Sequence, residues 1–171
     1  TTKTDENFIV LLGNSGAGKS FFANFLLPQG SDEFYSSYSA ESVTAEFLAK
    51  PSVFEGWQVA DTPGLDDNFR WLALISHEIK RALTASKGQY KLCFVLDQAG
   101  GRVRVEDVLT IKLILSAIKD EIPYYILGNL NGIGVAEVNY EEGFKSVLNN
   151  LIQRDLRNLP RLRLPEAYLF L

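Results

Sequence analysis

The strongest constraint on this chain is an eight-residue stretch, Gly13-Asn14-Ser15-Gly16-Ala17-Gly18-Lys19-Ser20, set between an apolar run and a helical pattern. It matches G-x-x-x-x-G-K-[ST], and a strand before and a helix after are the context in which that pattern carries a mechanism. Phe8–Leu12 ahead of it is short, continuously apolar and rich in strand formers, as expected of a central parallel strand buried on both faces. Behind it a helical stretch runs from Lys19 and stops at Pro28. The glycines allow a tight turn, so that the N–H groups from Asn14 to Gly18 point inward at phosphate oxygens. The positive end of the following helix favours the same anion. Lys19 is expected to reach the β- and γ-phosphates, and Ser20 to ligate Mg²⁺ through its hydroxyl.

About forty residues on, Asp61-Thr62-Pro63-Gly64 forms D-x-x-G after a second apolar run. An Asp at that strand end would hold a magnesium-bound water, and the Gly64 N–H would contact the γ-phosphate. Pro63 presets the turn, and Gly64 permits close backbone approach. A DTPG turn alone is a common surface feature; its spacing from Gly13–Ser20 gives it meaning. Thr44, in the polar stretch before an edge strand, is the candidate to complete the Mg²⁺ shell, with Ser42 as the fallback.

The remaining periodicity fits the same frame. Gln29–Ser42 is polar and aperiodic, a loop; Val43–Ala49 and Trp57–Ala60 read as strands joined around Glu55-Gly56. Pro51 between them is tolerable at a sheet edge. Leu72, Ile75, Ile79 and Leu83 make a helical stripe, Lys91–Leu96 a buried strand, and Val108, Ile111, Leu115 and Ile118 a second stripe. Pro123–Leu127 is a strand; Phe144, Val147, Leu148 and Leu151 begin a last helix running to about Asn158, and Ala167–Leu171 is a terminal strand. Strands alternating with helices predict a three-layer α/β domain with a mostly parallel sheet and an antiparallel edge strand. The 171 residues form one domain behind a polar tail, residues 1–7.

A net charge of −4 argues against non-specific binding to nucleic acid or anionic membrane. The apolar runs are far shorter than the roughly 18 residues of a spanning helix, and no signal peptide is visible. The single cysteine, Cys93, lies in an apolar run. That suits a reducing compartment, so the cytoplasm is expected. The chain has no methionine and begins with Thr, as a piece trimmed from a longer product would. His77, the only histidine, has no carboxylate or cysteine at suggestive spacing and reads as a surface residue. Arg154, Arg157, Arg161 and Arg163 make a mild basic cluster, by default a solvated face. Phe34, Tyr35 and Tyr38 fall in the polar loop, where a partner surface, a base stack and core packing all remain open.

The eight-residue loop, Ser42-Val43-Thr44 and Asp61-Thr62-Pro63-Gly64-Leu65-Asp66-Asp67 together resemble the AIG1/GIMAP-type GTPases, relatives of the chloroplast import receptor GTPases and the septins. A fourth segment, Gly101-Arg102-Val103-Arg104-Val105-Glu106-Asp107, looks like that family's box, roughly G-R-[FY]-[ST]-x-E-D. The resemblance spans about Phe8 to Ile118. It implies a P-loop NTPase G domain binding GTP or GDP with Mg²⁺, a switch I around Thr44, a switch II around Leu65–Arg70, and a homodimer across the nucleotide face. The family's base motif, N-K-x-D or T-K-x-D, should follow Tyr124–Leu127. The aligned tetrad is Gly128-Asn129-Leu130-Asn131, which puts Asn129 and Asn131 at the base. Where Asp accepts from both guanine N1–H and N2–H₂, Asn offers one acceptor and one donor set. The final base-binding loop would begin beyond Leu171.

In Ras-like enzymes the residue after D-x-x-G is a Gln that orients the attacking water; here it is Leu65. The resemblance suggests that Arg102 acts across a dimer as an arginine finger, against the plainer reading of Arg102 and Arg104 as a solvated loop. Asp66, Asp67 and Arg70 are further candidates. The expectation is a GTP-binding switch with weak or dimerisation-stimulated hydrolysis. Its rivals are a nucleotide-locked scaffold without turnover, and a P-loop ATPase or small-molecule kinase permitted by the altered tetrad.

Overall fold

A computed structural model of the protein describes residues 6–34, 48–62, 64–65, 73, 76–77, 88–97, 103–118, 122–129, 140–155 and 165–170. The apolar runs become strands β1 (Asn7–Leu12), β2 (Leu48–Pro51), β3 (Trp57–Asp61), β4 (Tyr90–Asp97), β5 (Tyr124–Asn129) and β6 (Ala167–Phe170). The periodic stretches become helices α1 (Lys19–Phe25), α2 (Val105–Ile118) and α3 (Tyr140–Asp155). Among the described residues, six strands join one sheet in the order β2-β3-β1-β4-β5-β6, with only the β2–β3 pair antiparallel. β1 sits between β3 and β4, so its end delivers the glycine-rich loop to the middle of the sheet.

Alternation along the strands splits the core in two. Val10, Leu12, Leu92, Phe94 and Leu96 face α2 and α3, where they meet Ile111, Ile114, Ile118, Leu148 and Ile152. Leu11, Val59, Cys93 and Val95 face the other way and pack on Phe22 and Ala23 of α1. Three layers result. Each fully buried side chain of this size contributes roughly 1.5–3 kcal/mol.

Several boundaries differ from the sequence reading. Helix α1 closes at Phe25, with Leu26 bonded back to Ala23, ahead of Pro28. A proline disfavours helical geometry in the residue before it, so the helix ends early. The strand expected at Val43–Ala49 is described from Leu48 and continues past Ala49 to Pro51, with Pro51 opposite Gln58; residues 43–47 lie outside the described residues. Pro51 is accommodated within the strand because β2 is an edge. On α3 the buried stripe is Phe144, Leu148 and Ile152, four residues apart, while Val147 is exposed. Phe34 is buried rather than displayed, with its backbone N–H and carbonyl both held by the Asn24 amide. Ala73, Ser76 and His77 are helical, and His77 is exposed; Leu72, Ile75, Ile79 and Leu83 lie outside the described residues. Among the described residues no helix is long and apolar enough to cross a membrane.

Candidate functional site

The loop between β1 and α1 is held by three neighbouring elements at the strand ends. At its start, a Cβ on Gly13 would overlap the Val95 carbonyl oxygen of β4, so only glycine fits there. At its end, Gly18 adopts φ 97°, a left-handed conformation that favours glycine, and opens α1. A Cβ on Gly18 would also lie 2.7 Å from the Asn129 amide nitrogen. That nitrogen donates to the Ala17 carbonyl at 3.2 Å, which ties the end of β5 to the loop. The third neighbour is the turn after β3. Leu65 N–H donates to the Gly13 carbonyl at 3.2 Å, and a Cβ on Gly64 would overlap Ser15 Oγ and come 2.9 Å from Ser15 Cα. Thr62, buried, donates its hydroxyl to the Leu11 carbonyl at 2.7 Å.

Lys19 is only 7% exposed, and its ammonium donates to the Asn14 carbonyl at 3.0 Å. Its charge therefore sits over the loop, braced by the backbone of the residue at the opposite side of the turn. Ala17 N–H donates to the same carbonyl at 3.2 Å.

Ser20 and Asp61 meet beside it. The Ser20 hydroxyl donates to Asp61 Oδ2 at 2.8 Å, while Asp61 Oδ1 is buried with no hydrogen-bond partner among the described residues. Burial pushes the Asp61 carboxyl above its ordinary value, against the downward pull of the Ser20 hydroxyl, the Lys19 charge and the Thr62 backbone. A buried carboxylate oxygen without a donor is costly unless a cation or donor faces it. A hydroxyl, a carboxylate with a spare oxygen and an adjacent ammonium form an oxygen-rich corner that fits Mg²⁺ bound with phosphate.

The site residues expected from sequence divide cleanly. Asn14 to Ser20, Asp61, Gly64 and Asn129 come together at the ends of β1, β3 and β5. Thr44, Arg102 and Asn131 lie outside the described residues, as do Ser42, Asp66, Asp67 and Arg70. Asn129, expected at the base, donates from its amide to the loop. Leu65 is 1% exposed, and its side chain packs in the α2/α3 core with residues such as Phe94 and Ile111.

The sequence profile of the AIG1 family matches residues 7–153, which include every element from β1 to nearly the end of α3. The chain belongs to the AIG1 family. Within that family it is similar to two Arabidopsis thaliana proteins. With immune-associated nucleotide-binding protein 7 it is 31% identical over 140 residues, 80% of this chain and 44% of that protein. With immune-associated nucleotide-binding protein 10 it is 35% identical over 123 residues, 70% of this chain and 26% of that protein. The AIG1 domain described here thus spans less than half the length of these relatives. Its fold is that of P-loop GTPases. The signal recognition particle receptor SRb-GTP/SRX complex from Chaetomium thermophilum contains a chain matching at TM-score 0.60 and 17% identity, over 98% of this chain and 91% of that one. The ADP-ribosylation factor-like protein, small COPII coat GTPase SAR1 of Encephalitozoon cuniculi matches at TM-score 0.55 and 13% identity, over all of this chain and 70% of that one.

Two features of this AIG1 domain escaped the sequence reading. The Asn14 side chain is enclosed by Asp107 and Thr110 of α2. Asp107 closes the family box, which was a signal available in sequence, but nothing there indicated its partner. The second is the brace of Asn24 on Phe34, reinforced by Lys50, whose ammonium donates to the Asp32 and Glu33 carbonyls and lies 4.8 Å from the Phe34 ring centroid. An unremarkable Asn and Lys carry no motif that marks such a role.

Proposed function

We propose that this domain binds a guanine nucleoside triphosphate with Mg²⁺ and acts as a switch whose hydrolysis is slow or stimulated by dimerisation. The observation that carries the reading is the corner formed by Lys19, Ser20 and Asp61, with a buried Asp61 oxygen that has no partner among the described residues. The loop from Asn14 to Gly18 would receive the phosphates through its N–H groups, and Lys19, still braced on the Asn14 carbonyl by one N–H, would direct its other two at the β- and γ-oxygens. When bound, Mg²⁺ would neutralise charge developing on those oxygens. This chain's share would be the Ser20 hydroxyl and the Asp61 carboxylate, acting directly or through a water, with Thr44 completing the set. The Gly64 N–H would contact the γ-phosphate. Asn131 would face the base, supported by Asn129. The names of the two plant relatives, which call them nucleotide-binding, agree with the reading. The cytoplasm is the proposed location, on the ground that the chain's one cysteine is a buried free thiol.

Calorimetric titration of nucleotide-free protein with GTP, GDP, ATP and XTP in magnesium tests this reading. Guanine preference is the expected result; equal binding of ATP, or preference for XTP, would overturn the guanine assignment.

The burial of Leu65 favours a second reading, a scaffold shaped by bound nucleotide without turnover. A leucine packed in the core cannot orient a water. Hydrolysis would then depend on a group brought by a partner, and Arg102 of a second copy across the nucleotide face is the proposed one. Single-turnover phosphate release at low and high protein concentration, with and without Arg102→Ala, separates the two. Release that rises with concentration and falls in the variant supports the switch, and no release at any concentration supports the scaffold.

A further inference from the structure

Asn14 is the second residue of the phosphate loop, and its side chain does not face the loop's interior. It is 6% exposed, with both ends of its amide taken by the first turns of α2. Asn14 Nδ2 donates to Asp107 Oδ1 at 2.7 Å, and Asn14 Oδ1 accepts from Thr110 Oγ1 at 3.3 Å. Asp107 and Thr110 are themselves buried and stand three residues apart, one above the other on the same helix face. A carboxylate oxygen can only accept and the hydroxyl here donates, so the pair fixes which way the amide points. The backbone of the same residue does different work. The Asn14 carbonyl receives the Lys19 ammonium at 3.0 Å and the Ala17 N–H at 3.2 Å. Asn14 thus links α2 to the lysine and the turn of the loop.

We propose that Asp107 and Thr110 are positioning residues for the phosphate loop: by clasping the Asn14 amide they hold its carbonyl, and through it Lys19 and the loop turn, in the phosphate-accepting conformation. This rests on the nucleotide-binding reading above and gives Asp107, the last residue of the family box, a defined partner in the Asn14 side chain, on the side of the loop that faces α2. The arrangement is more than a neutral way to fill space. Burial raises the Asp107 carboxyl to about 6, with the Asn14 bond and Arg104 pulling it down and Asp97 and Glu106 pushing it further up. A buried carboxylate here is a strain on the fold that an apolar residue would avoid. A carboxamide at 107 would keep the acceptor and shed the charge. The clasp therefore requires an acceptor at 107, and the conservative variant isolates that requirement.

The test is the affinity of the full chain for a fluorescent GDP analogue in magnesium. The variants are Asp107→Ala, Asp107→Asn, Asn14→Ala, Thr110→Val and the double variant Asp107→Ala/Asn14→Ala. Ile152→Ala, a core change on α3 remote from the loop, reports what lost stability alone does, and thermal unfolding is followed in parallel. Asp107→Ala should weaken binding by about tenfold, the scale of one lost hydrogen bond to a charged group. Asp107→Asn should bind within about twofold of the unsubstituted chain. The double variant should be no weaker than its weaker parent, the non-additivity expected of groups acting through one contact. Ile152→Ala should melt lower yet bind normally. The proposal is overturned if folded Asp107→Ala binds like the unsubstituted chain, if Asp107→Asn is as weak as Asp107→Ala, or if Ile152→Ala weakens binding equally. An unsubstituted chain that binds no nucleotide would overturn the nucleotide reading, and the clasp with it; that failure is read directly from the control.

Discussion

At the scale of single residues, charge and burial conflict at two carboxylates, and each conflict predicts a measurement. Asp107 holds its proton to about pH 6 in the fold, against 3.8 ordinarily. Its cost to stability is therefore absent below 3.8 and reaches its full size as pH rises through about 6, where it amounts to about 3 kcal/mol. Nucleotide-free Asp107→Asn should accordingly melt several degrees above the unsubstituted protein at pH 8, with the gap roughly halved by pH 5. Calorimetric scans across that range check both the sign and the window. At Asp61 the unpartnered oxygen points to a cation instead. Asp61→Asn should remove most of the Mg²⁺ dependence of GTP affinity, measured as the ratio of dissociation constants with and without chelator. Leu65 presents the opposite case, an apolar side chain where water-directing chemistry would be useful. Because it is packed in the core, Leu65→Gln should lower stability by about 2–4 kcal/mol and leave single-turnover hydrolysis unchanged. A rise in hydrolysis would mean that this turn swings outward in the triphosphate state.

At the scale of elements, the loop works because strand ends and helix starts converge on it. β4 excludes a side chain at Gly13, β5 at Gly18 and the loop's own Ser15 at Gly64. Gly64→Ala tests this convergence, since its Cβ would press on the Ser15 backbone and displace either the loop or the turn. A loss of about tenfold or more in GTP affinity with unchanged far-ultraviolet circular dichroism is expected, in line with overpacking penalties of about 1–3 kcal/mol. This level was the most legible in sequence. The spacing of Gly13, Gly18, Lys19 and Ser20 announces a strand, a turn and a helix because backbone sterics act locally. Less legible was the face of α3. Val147 looked like core by spacing and is exposed, because the helix turns Phe144, Leu148 and Ile152 inward and only the sheet decides which stripe is buried. The end of the edge strand was read two residues short of Pro51, since a proline is excluded from a strand only where its N–H is needed.

At the scale of the whole molecule, nucleotide should act as a structural ligand. GTP at a hundredfold excess over its dissociation constant should raise stability by about 2.7 kcal/mol, and the melting temperature by about 5–10 °C. Differential scanning fluorimetry with GTP, ATP and buffer checks this, and an equal shift with ATP would remove the guanine preference. What the sequence determined alone is the kind of fold and the phosphate loop. Apolar runs alternating with helical stripes admit a doubly covered parallel sheet, and G-x-x-x-x-G-K-S needs only local geometry to curl around an anion. The tertiary structure decided the strand order β2-β3-β1-β4-β5-β6, since apolar runs of similar length are interchangeable until helices dock on them. It also decided the pairings Ser20 with Asp61, Ala17 with Asn129, and Asn14 with Asp107 and Thr110, whose members lie 41 to 112 positions apart. A hydrogen bond acts over about 3 Å and requires aligned donors. No local pattern can encode such a contact, and it forms only when packing of the apolar faces brings the two segments to that distance.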